Sequence, residues 1–142
     1  MAHESSTVQL LAGLPLFSAC SDKELKHISN LVVPTSVAAG KVLMVQGQAG
    51  VEAFVIASGN ADVTIDGTSV ATVGPGQILG EMTLLDRTTL RTATVTASTP
   101  MELLVLEPRG FSDLIEQHPS VLRRIAVALA SRLRAAEASH VH

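Results

Sequence analysis

The sequence predicts an α+β domain in which an antiparallel roll of short strands lies between helices. Between Leu31 and Glu107, runs rich in β-branched residues alternate with Gly, Pro, Asn and Asp, at a spacing typical of a sandwich or barrel. On both sides of this region, apolar residues recur at helical spacing. The length of 142 residues suits one domain, which we assign to residues 1–142.

Two helices are predicted before the roll. The first is short and is expected near Ser6–Leu11. The second opens at Ser21, because Glu24 stands three positions later and the two residues can form a capping box. Leu25 and Ile28 then supply the apolar stripe that such a helix needs.

The roll is assigned to about residues 31–107. Its clearest local signal is Asp66-Gly67, because this pair between β-branched runs favours a two-residue type I′ hairpin. The runs that we assign to strands are LVVPTSVAAGKVLMVQGQAG, EAFVIASGNADVTIDG, TSVATVGPGQILG, TATVTAS and MELLVLE.

Two helices are predicted after the roll, over about residues 108–138. Pro108 and Pro119 suit first helical turns, where the missing N–H has no partner to lose. The last helix carries an apolar stripe made of Val121, Leu122, Ile125, Leu129, Leu133 and Ala136. The stripe either packs on the roll or forms the seam of a homodimer, since its spacing approximates a heptad.

Composition excludes several classes of protein. The net charge of −3, from 10 Lys+Arg against 13 Asp+Glu, is the opposite of the basic balance that a phosphate-backbone binder needs. Cys20 is the only cysteine, which rules out a disulfide within the chain and a cysteine-based metal centre. No apolar run approaches ~20 residues, and the N-terminal region lacks the basic stretch of a signal peptide. We therefore expect a soluble cytoplasmic protein without a membrane span.

No catalytic or metal constellation is visible in the sequence. The histidines all lie outside the roll, which leaves a metal centre inside it without ligands. They are His3, His27, His118, His140 and His142. There is no nucleophile elbow, and Glu81 has no second acid beside it for paired-carboxylate hydrolysis. We expect no enzyme activity, no metal and no cofactor.

The stretch GEMTLLDRTTLRTATV, residues 80–95, places the acid Glu81 ten positions before the base Arg91, with many apolar residues around them. If Gly80 opens a helical turn, the unpaired N–H groups of that turn favour an anion, and Arg91 adds a planar charged fork. Glu81 can accept a hydrogen bond from a sugar hydroxyl. This combination suits a compact ligand with ribose and phosphate together. The alternative is a Glu81–Arg91 ion pair that braces a loop, and the residues leave both interpretations open.

These residues also carry a resemblance. The segments LGEMTLL and LRTATVTA resemble the phosphate-binding cassette of the cyclic-nucleotide-binding domain family. The matching cassette positions are Leu79, Gly80, Glu81, Leu84, Arg91, Thr92, Ala93 and Val95. Gly47, Gly50 and Gly59 are similar to the family's early glycine pattern, and the likeness extends over nearly the whole chain from about Leu11. The resemblance implies an eight-stranded jelly roll with N-terminal helices and two closing helices.

It also implies roles for individual residues. Glu81 would accept from the ribose 2′-hydroxyl, and Arg91 would pair with the cyclic phosphate. The backbone N–H groups of Gly80, Glu81, Met82 and Thr83 would cradle that phosphate. Thr92 would touch the phosphate or the purine, and Arg132 keeps a basic position of the last helix that closes over the base.

The purine contacts depart from the family pattern. Ala136 and Glu137 stand where the bacterial activators of the family place two hydroxyl residues on the base. We therefore expect cyclic AMP as the ligand, with cyclic GMP also accepted, and a preference below about a hundredfold.

The resemblance implies a sensor domain whose last helix transmits ligand occupancy to an unknown protein effector. A homodimer through that helix is a second possible partnership. The negative charge, together with the absence of a helix-turn-helix pattern in the sequence, predicts no specific DNA binding by this chain alone. The alternative function is a structural or protein-interaction module that keeps the same fold and needs no ligand.

Overall fold

The computed structural model describes residues 2–86 and 88–141, with side chains for 6–86 and 88–135. The elements before and within the roll are α1 Ala2–Ala12, a short 3₁₀ helix Pro15–Phe17, α2 Asp22–Ser29, β1 Val33–Val37, β2 Val42–Met44, β3 Ala53–Ser58, β4 Ala61–Ile65, β5 Thr68–Val73, β6 Ile78–Leu79, α3 Glu81–Leu85, β7 Thr94–Ala97 and β8 Met101–Leu106. The closing helices are α4 Pro108–Gln117 and α5 Pro119–Val141.

The strands form two four-stranded antiparallel sheets, in the orders β1-β8-β3-β6 and β2-β7-β4-β5. Strand β8 lies between β1 and β3, so that Val105 pairs with both Val33 and Phe54. In the second sheet β7 bridges β2 and β4. The predicted α+β fold with an eight-stranded antiparallel roll is therefore confirmed, and the strands span residues 33–106 within the predicted 31–107.

Strands β3 and β8 are buried on both faces of their sheet. Leu103 and Ile56 point into the roll, where they pack with residues of the opposite sheet such as Val95. Leu104 and Val55 point the other way, into a second core under the helices. That second core is completed by Leu11, Phe17, Ile28, Leu106, Phe111, Leu114, Val121 and Ile125. Burial on both faces explains why MELLVL is almost continuously apolar instead of alternating.

The local turn and cap signals form as predicted. Asp66 and Gly67 have φ of 52° and 80°, the left-handed pair that a type I′ hairpin requires. Ser21 and Glu24 form the reciprocal capping box at the start of α2. The first helix is longer than the predicted Ser6–Leu11, because it continues to Ala2 on one side and Ala12 on the other.

A polar cluster ties α2 to the junction of the closing helices. The His118 side chain, in a residue only 4% exposed, lies between α4 and α5 with its Nε2 2.7 Å from Nδ1 of His27. Its Nδ1 lies 3.3 Å from Oε2 of Glu24. Hydrogen bonding to the backbone of Ser21 and then to His118 lowers the pKa of the Glu24 carboxyl. The junction from which α5 departs is thus fixed to the rest of the helical core.

Among the described side chains of helix α5, those of its first half supply the buried ones, which pack in the core between the helices and the roll. Val121 and Ile125 are buried and Leu129 is half-buried, whereas Leu122 and Leu133 are exposed. Packing on the roll therefore accounts for part of the predicted stripe, and the homodimer seam stays a prediction. Ala136 and Glu137 have side chains outside the described residues.

None of the described helices combines the length and the apolar character that a bilayer crossing requires.

Gly59 offers a direct test of the backbone path between β3 and β4. Its φ is +87°, and an added Cβ would lie 2.3 Å from the carbonyl oxygen of Pro100. Gly59→Ala should therefore lower the free energy of unfolding by about 1–3 kcal/mol or more. Gly40→Ala is the matched control, because Gly40 has φ of +90° with no atom within 4 Å of the added Cβ. Urea unfolding of both variants measures the difference, and equal losses would show that the close approach to Pro100 is unimportant.

Candidate functional site

The site begins where β6 ends. Gly80, with φ of 79°, turns the chain directly from β6 into the five-residue helix α3. A left-handed residue at this position favours glycine, because a side chain there would be strained. The helical turn predicted from Gly80 to Leu85 is confirmed, and the first residues of α3, Glu81, Met82 and Thr83, line one cavity together with Gly80.

Arg91 is the central cation of the site. The residue is only 7% exposed, and its guanidinium donates to three neutral acceptors: Nη1 to the Gly80 carbonyl at 3.1 Å and to Thr83 Oγ1 at 2.9 Å, and Nη2 to the Glu52 carbonyl at 2.8 Å. Burial lowers the pKa of Arg91, and the negative charges of Glu52 and Glu81 partly offset that effect. Within the described part of the chain, no carboxylate forms an ion pair with it. The Glu81–Arg91 ion pair that we considered as an alternative is thus not formed.

Gly50 allows Arg91 to occupy this position. A Cβ added at Gly50 would lie 1.9 Å from Nε of Arg91 and 2.0 Å from its Cζ. The backbone of Arg91 is fixed in addition, since its N–H donates to Gln48 and its carbonyl accepts from Gly47. In the sequence, Gly50 was one of the glycines that resemble the family pattern, and no role could be assigned to it. The structure shows that the absence of a side chain at Gly50 leaves room for the Arg91 guanidinium.

Glu81 and Arg132 form the second charged element of the site. Glu81 is 1% exposed, and its Oε1 accepts from Arg132 Nη1 at 2.7 Å. Arg132 reaches across from α5, its side chain is 43% exposed, and its Nη2 donates to the Ile78 carbonyl. We had assigned Arg132 to the ligand-binding site from the sequence. The sequence did not predict that Arg132 contacts Glu81.

One cavity is lined by all seven residues that we predicted from the sequence to bind the ligand. They are Gly80, Glu81, Met82, Thr83, Arg91, Thr92 and Arg132. The remaining lining is apolar and consists of Met44, Val63, Ala71, Val73, Leu79, Leu90, Ala93 and Val95. A cation, a carboxylate and an apolar wall therefore face the same space, an arrangement that suits a ligand with an anionic group, a hydroxyl and a flat apolar part.

Comparison with known proteins agrees with this geometry. The family model described as "Cyclic nucleotide-binding domain" matches residues 34–118. The chain is 32% identical over 132 residues to the Cyclic AMP receptor protein of Thermus thermophilus, which covers 89% of this chain and 61% of that protein. It is 34% identical over 128 residues to Glutaminase 2 of Bradyrhizobium diazoefficiens, covering 87% of this chain and 20% of that protein.

Solved structures show the same fold. A point mutant of the cAMP-binding acyltransferase from Mycobacterium smegmatis superposes with a TM-score of 0.79 at 29% identity, over 95% of this chain and 43% of that one. The chain thus spans only a fifth of the glutaminase and less than half of the acyltransferase. The shared part in each relative is a domain, and the activities in their names belong to those whole proteins.

The role of Gly50 can be tested separately from folding. In Gly50→Ala the guanidinium of Arg91 must leave its position, while the strands that frame it remain. We expect the affinity for cyclic AMP to fall about tenfold or more, with a smaller effect on the free energy of unfolding. Calorimetric titration and urea unfolding measure the two quantities. Gly13→Ala, where the added Cβ meets its nearest atom at 3.6 Å, is the control. Wild-type affinity in Gly50→Ala would refute this role.

Proposed function

We propose, because the chain belongs to the cyclic nucleotide-binding domain family, that this cavity senses a 3′,5′-cyclic nucleotide, cyclic AMP first and cyclic GMP second. The observation that supports the proposal most is the buried guanidinium of Arg91, which has only neutral hydrogen-bond partners among the described residues. A buried charge without an ion-pair partner is costly, and an anionic ligand in contact with it would reduce that cost.

The phosphate is assigned to the end of the cavity formed by Arg91 and the start of α3. A cyclic phosphodiester carries one negative charge, which matches one arginine. The guanidinium presents several N–H donors in a plane, so that it can exchange a carbonyl partner for phosphate oxygens without losing hydrogen bonds. In this proposal the backbone N–H groups of residues 80–83 add neutral donors, which is the role that the family resemblance implies for them.

The ribose is assigned to Glu81. In a 3′,5′-cyclic nucleotide both the 3′ and the 5′ oxygen belong to the phosphate ring, so the 2′-hydroxyl is the only sugar hydroxyl left. A carboxylate accepts from such a hydroxyl but repels an additional phosphate charge. Linear 5′-AMP, which carries more charge and a different phosphate geometry, should therefore bind poorly.

The base is assigned to the apolar wall of the cavity. Val63, Val73 and Leu90 can pack on a purine of either kind, and Thr92 is the polar side chain nearest in sequence to Arg91. Apolar packing discriminates by only ~1–3 kcal/mol, whereas a hydrogen-bonded base edge discriminates by more. This lining supports a preference for cyclic AMP over cyclic GMP of less than about a hundredfold.

The output is assigned to α5. This helix contacts the site through Arg132 and presents Leu122 and Leu133 at its surface. A ligand that changes the docking of α5 would shift the population of its orientations, and a partner protein or a second copy of the chain would read the change. In this proposal the domain regulates and does not catalyse.

The assignment of the phosphate gives the test of the proposal. Arg91→Ala should lose roughly 2–5 kcal/mol of binding free energy for cyclic AMP, which is at least tenfold in Kd. Glu81→Gln keeps the shape of the side chain and should lose less. At about 100 times the wild-type Kd, cyclic AMP should raise the wild-type free energy of unfolding by ~2.7 kcal/mol and that of Arg91→Ala by less than about 1 kcal/mol.

Arg124→Ala is the matched control, because Arg124 is an exposed arginine of α5 outside the cavity. The chain contains no Trp and no Tyr, so nucleotide that copurifies with it is readily detected by absorbance at 260 nm. Equal binding by wild type and Arg91→Ala would refute the phosphate assignment. A wild type that binds neither cyclic nucleotide would favour the ligand-independent module.

A further inference from the structure

We infer that His27 and His118 form a pH-sensitive latch that holds α2 against the joint between α4 and α5. In the latched state the two rings together accept one proton beyond their neutral forms, and a second added proton breaks their contact. The inference requires no bound nucleotide, so it stands apart from the proposed function.

His118 is the joint of the two closing helices. Its backbone N–H donates to the Leu114 carbonyl at 3.0 Å, which ends α4, and its carbonyl accepts from the Val121 N–H at 3.0 Å, which begins α5. Its φ of −131° and ψ of 74° lie outside the helical region. Because the residue is only 4% exposed, whatever holds its side chain also helps to set the direction in which α5 leaves the helical core.

Glu24 determines which ring nitrogen of His118 carries a hydrogen. Its Oε1 accepts from the Ser21 N–H at 3.0 Å in the capping box of α2. Hydrogen bonding to the Ser21 backbone and then to His118 lowers the pKa of Glu24 from its ordinary value of 4.5, so the carboxylate is ionised at neutral pH and can only accept. The His118 Nδ1, 3.3 Å from Oε2, therefore carries the hydrogen and donates.

The contact between the two rings then has one consistent hydrogen pattern. In neutral His118 the hydrogen is on Nδ1, so Nε2 is an acceptor and the Nδ1 of His27, 2.7 Å away, donates to it. One added proton fits, because it can occupy the outer Nε2 of His27, and Glu24 balances its charge. A second added proton would place an N–H on both facing nitrogens and put two like charges side by side.

Few other charged groups face the two rings. Before α2, the Sγ of Cys20 lies 4.0 Å from Oγ of Ser120, and burial raises the pKa of this thiol, which stays neutral. Residues 6–12 of α1 include no charged side chain. The charged side chains nearest in sequence on α2, α4 and α5 form no ion pair with either ring: Lys23, Lys26, Asp113, Glu116, Arg123 and Arg124. Within the described part of the chain, Glu24 is thus the charge that faces the pair.

The pH range of the latch follows from the proton count. In the unfolded chain both histidines take up a proton independently near about pH 6.5, whereas the latched pair accepts only one. Below that pH the unfolded chain binds one proton more, so the folding equilibrium constant falls as the pH falls, by up to about tenfold per pH unit. The stabilisation from Glu24 is lost only below its ordinary pKa of 4.5, outside this range.

The experiment measures the unfolding equilibrium by urea at several pH values between about 7 and 5. The variants are His27→Gln, His118→Gln and the control Lys26→Gln, which removes an exposed charge from the same helix. In wild type and in Lys26→Gln the folding equilibrium constant should fall by about threefold or more per pH unit below about pH 6.5. Either histidine variant leaves one ring, which can take up its single proton, so that this dependence should nearly disappear.

Amide hydrogen exchange tests whether the contact acts as a latch. Protection factors, which are corrected for the intrinsic effect of pH on exchange, are compared at about pH 7 and pH 5.5. In wild type and in Lys26→Gln, protection should fall in α2 and in the first turns of α5 while β3 and β8 keep theirs. His27→Gln should show no such local loss. Since His27 is half-buried, this variant should retain the fold even if His118→Gln does not.

Three results would overturn the inference, and none of them bears on the proposed function. Equal pH dependence of unfolding in wild type and His27→Gln would mean that the pair does not limit proton uptake. Loss of the dependence in Lys26→Gln as well would assign it to the general charge of α2. A fall in protection that is uniform over the chain would mean that the pair stabilises the whole fold and does not hold α2 and α5 in particular.

Discussion

The desolvated guanidinium of Arg91 is the constraint on which the rest of the site depends. A permanent charge 7% exposed to solvent must be compensated, and here three neutral acceptors do so incompletely. Those acceptors come from two segments, one that leads into β3 at Glu52 and one that runs from β6 into α3 at Gly80 and Thr83. The positions of β3, β6 and α3 around one side chain are therefore linked, and Gly50 has to be small for the same reason. This arrangement, in which two of the three acceptors are backbone carbonyls, is what we propose as the receptor for the phosphate.

The roll supplies the rigidity that this receptor requires. Strand β3 is buried on both sides, with Ile56 in the roll and Val55 in the helical core, and it pairs with β8 and β6. The segment that leads to Gly80 is thus anchored by the most buried sheet of the molecule. Helix α5 differs, because its described side chains are buried near Val121 and Ile125 and exposed at Leu133. In the proposed switch, the firmly held segment and this helix meet at Glu81 through Arg132.

Local chemistry made most of the fold predictable. The hairpin at Asp66-Gly67 and the capping box of Ser21 depend on neighbours within three residues, so their patterns are visible in the sequence. Six of the seven site residues could be named because they lie within one contiguous motif, residues 80–92, and Arg132 was named only through the resemblance of the last helix. The partner of Glu81 could not be named, since Arg132 lies 51 positions away and their contact depends on how α5 packs. The His27–His118 contact, across 91 positions, was hidden for the same reason.

The most direct test of the central claim is a crystal structure of the domain with cyclic AMP. The account predicts phosphate oxygens within hydrogen-bond distance of the Arg91 guanidinium and of backbone N–H groups at the start of α3. It also predicts the 2′-hydroxyl on Glu81. A nucleotide bound elsewhere, or bound in this cavity while Arg91 keeps only the carbonyls of Glu52 and Gly80 and the hydroxyl of Thr83, would contradict it.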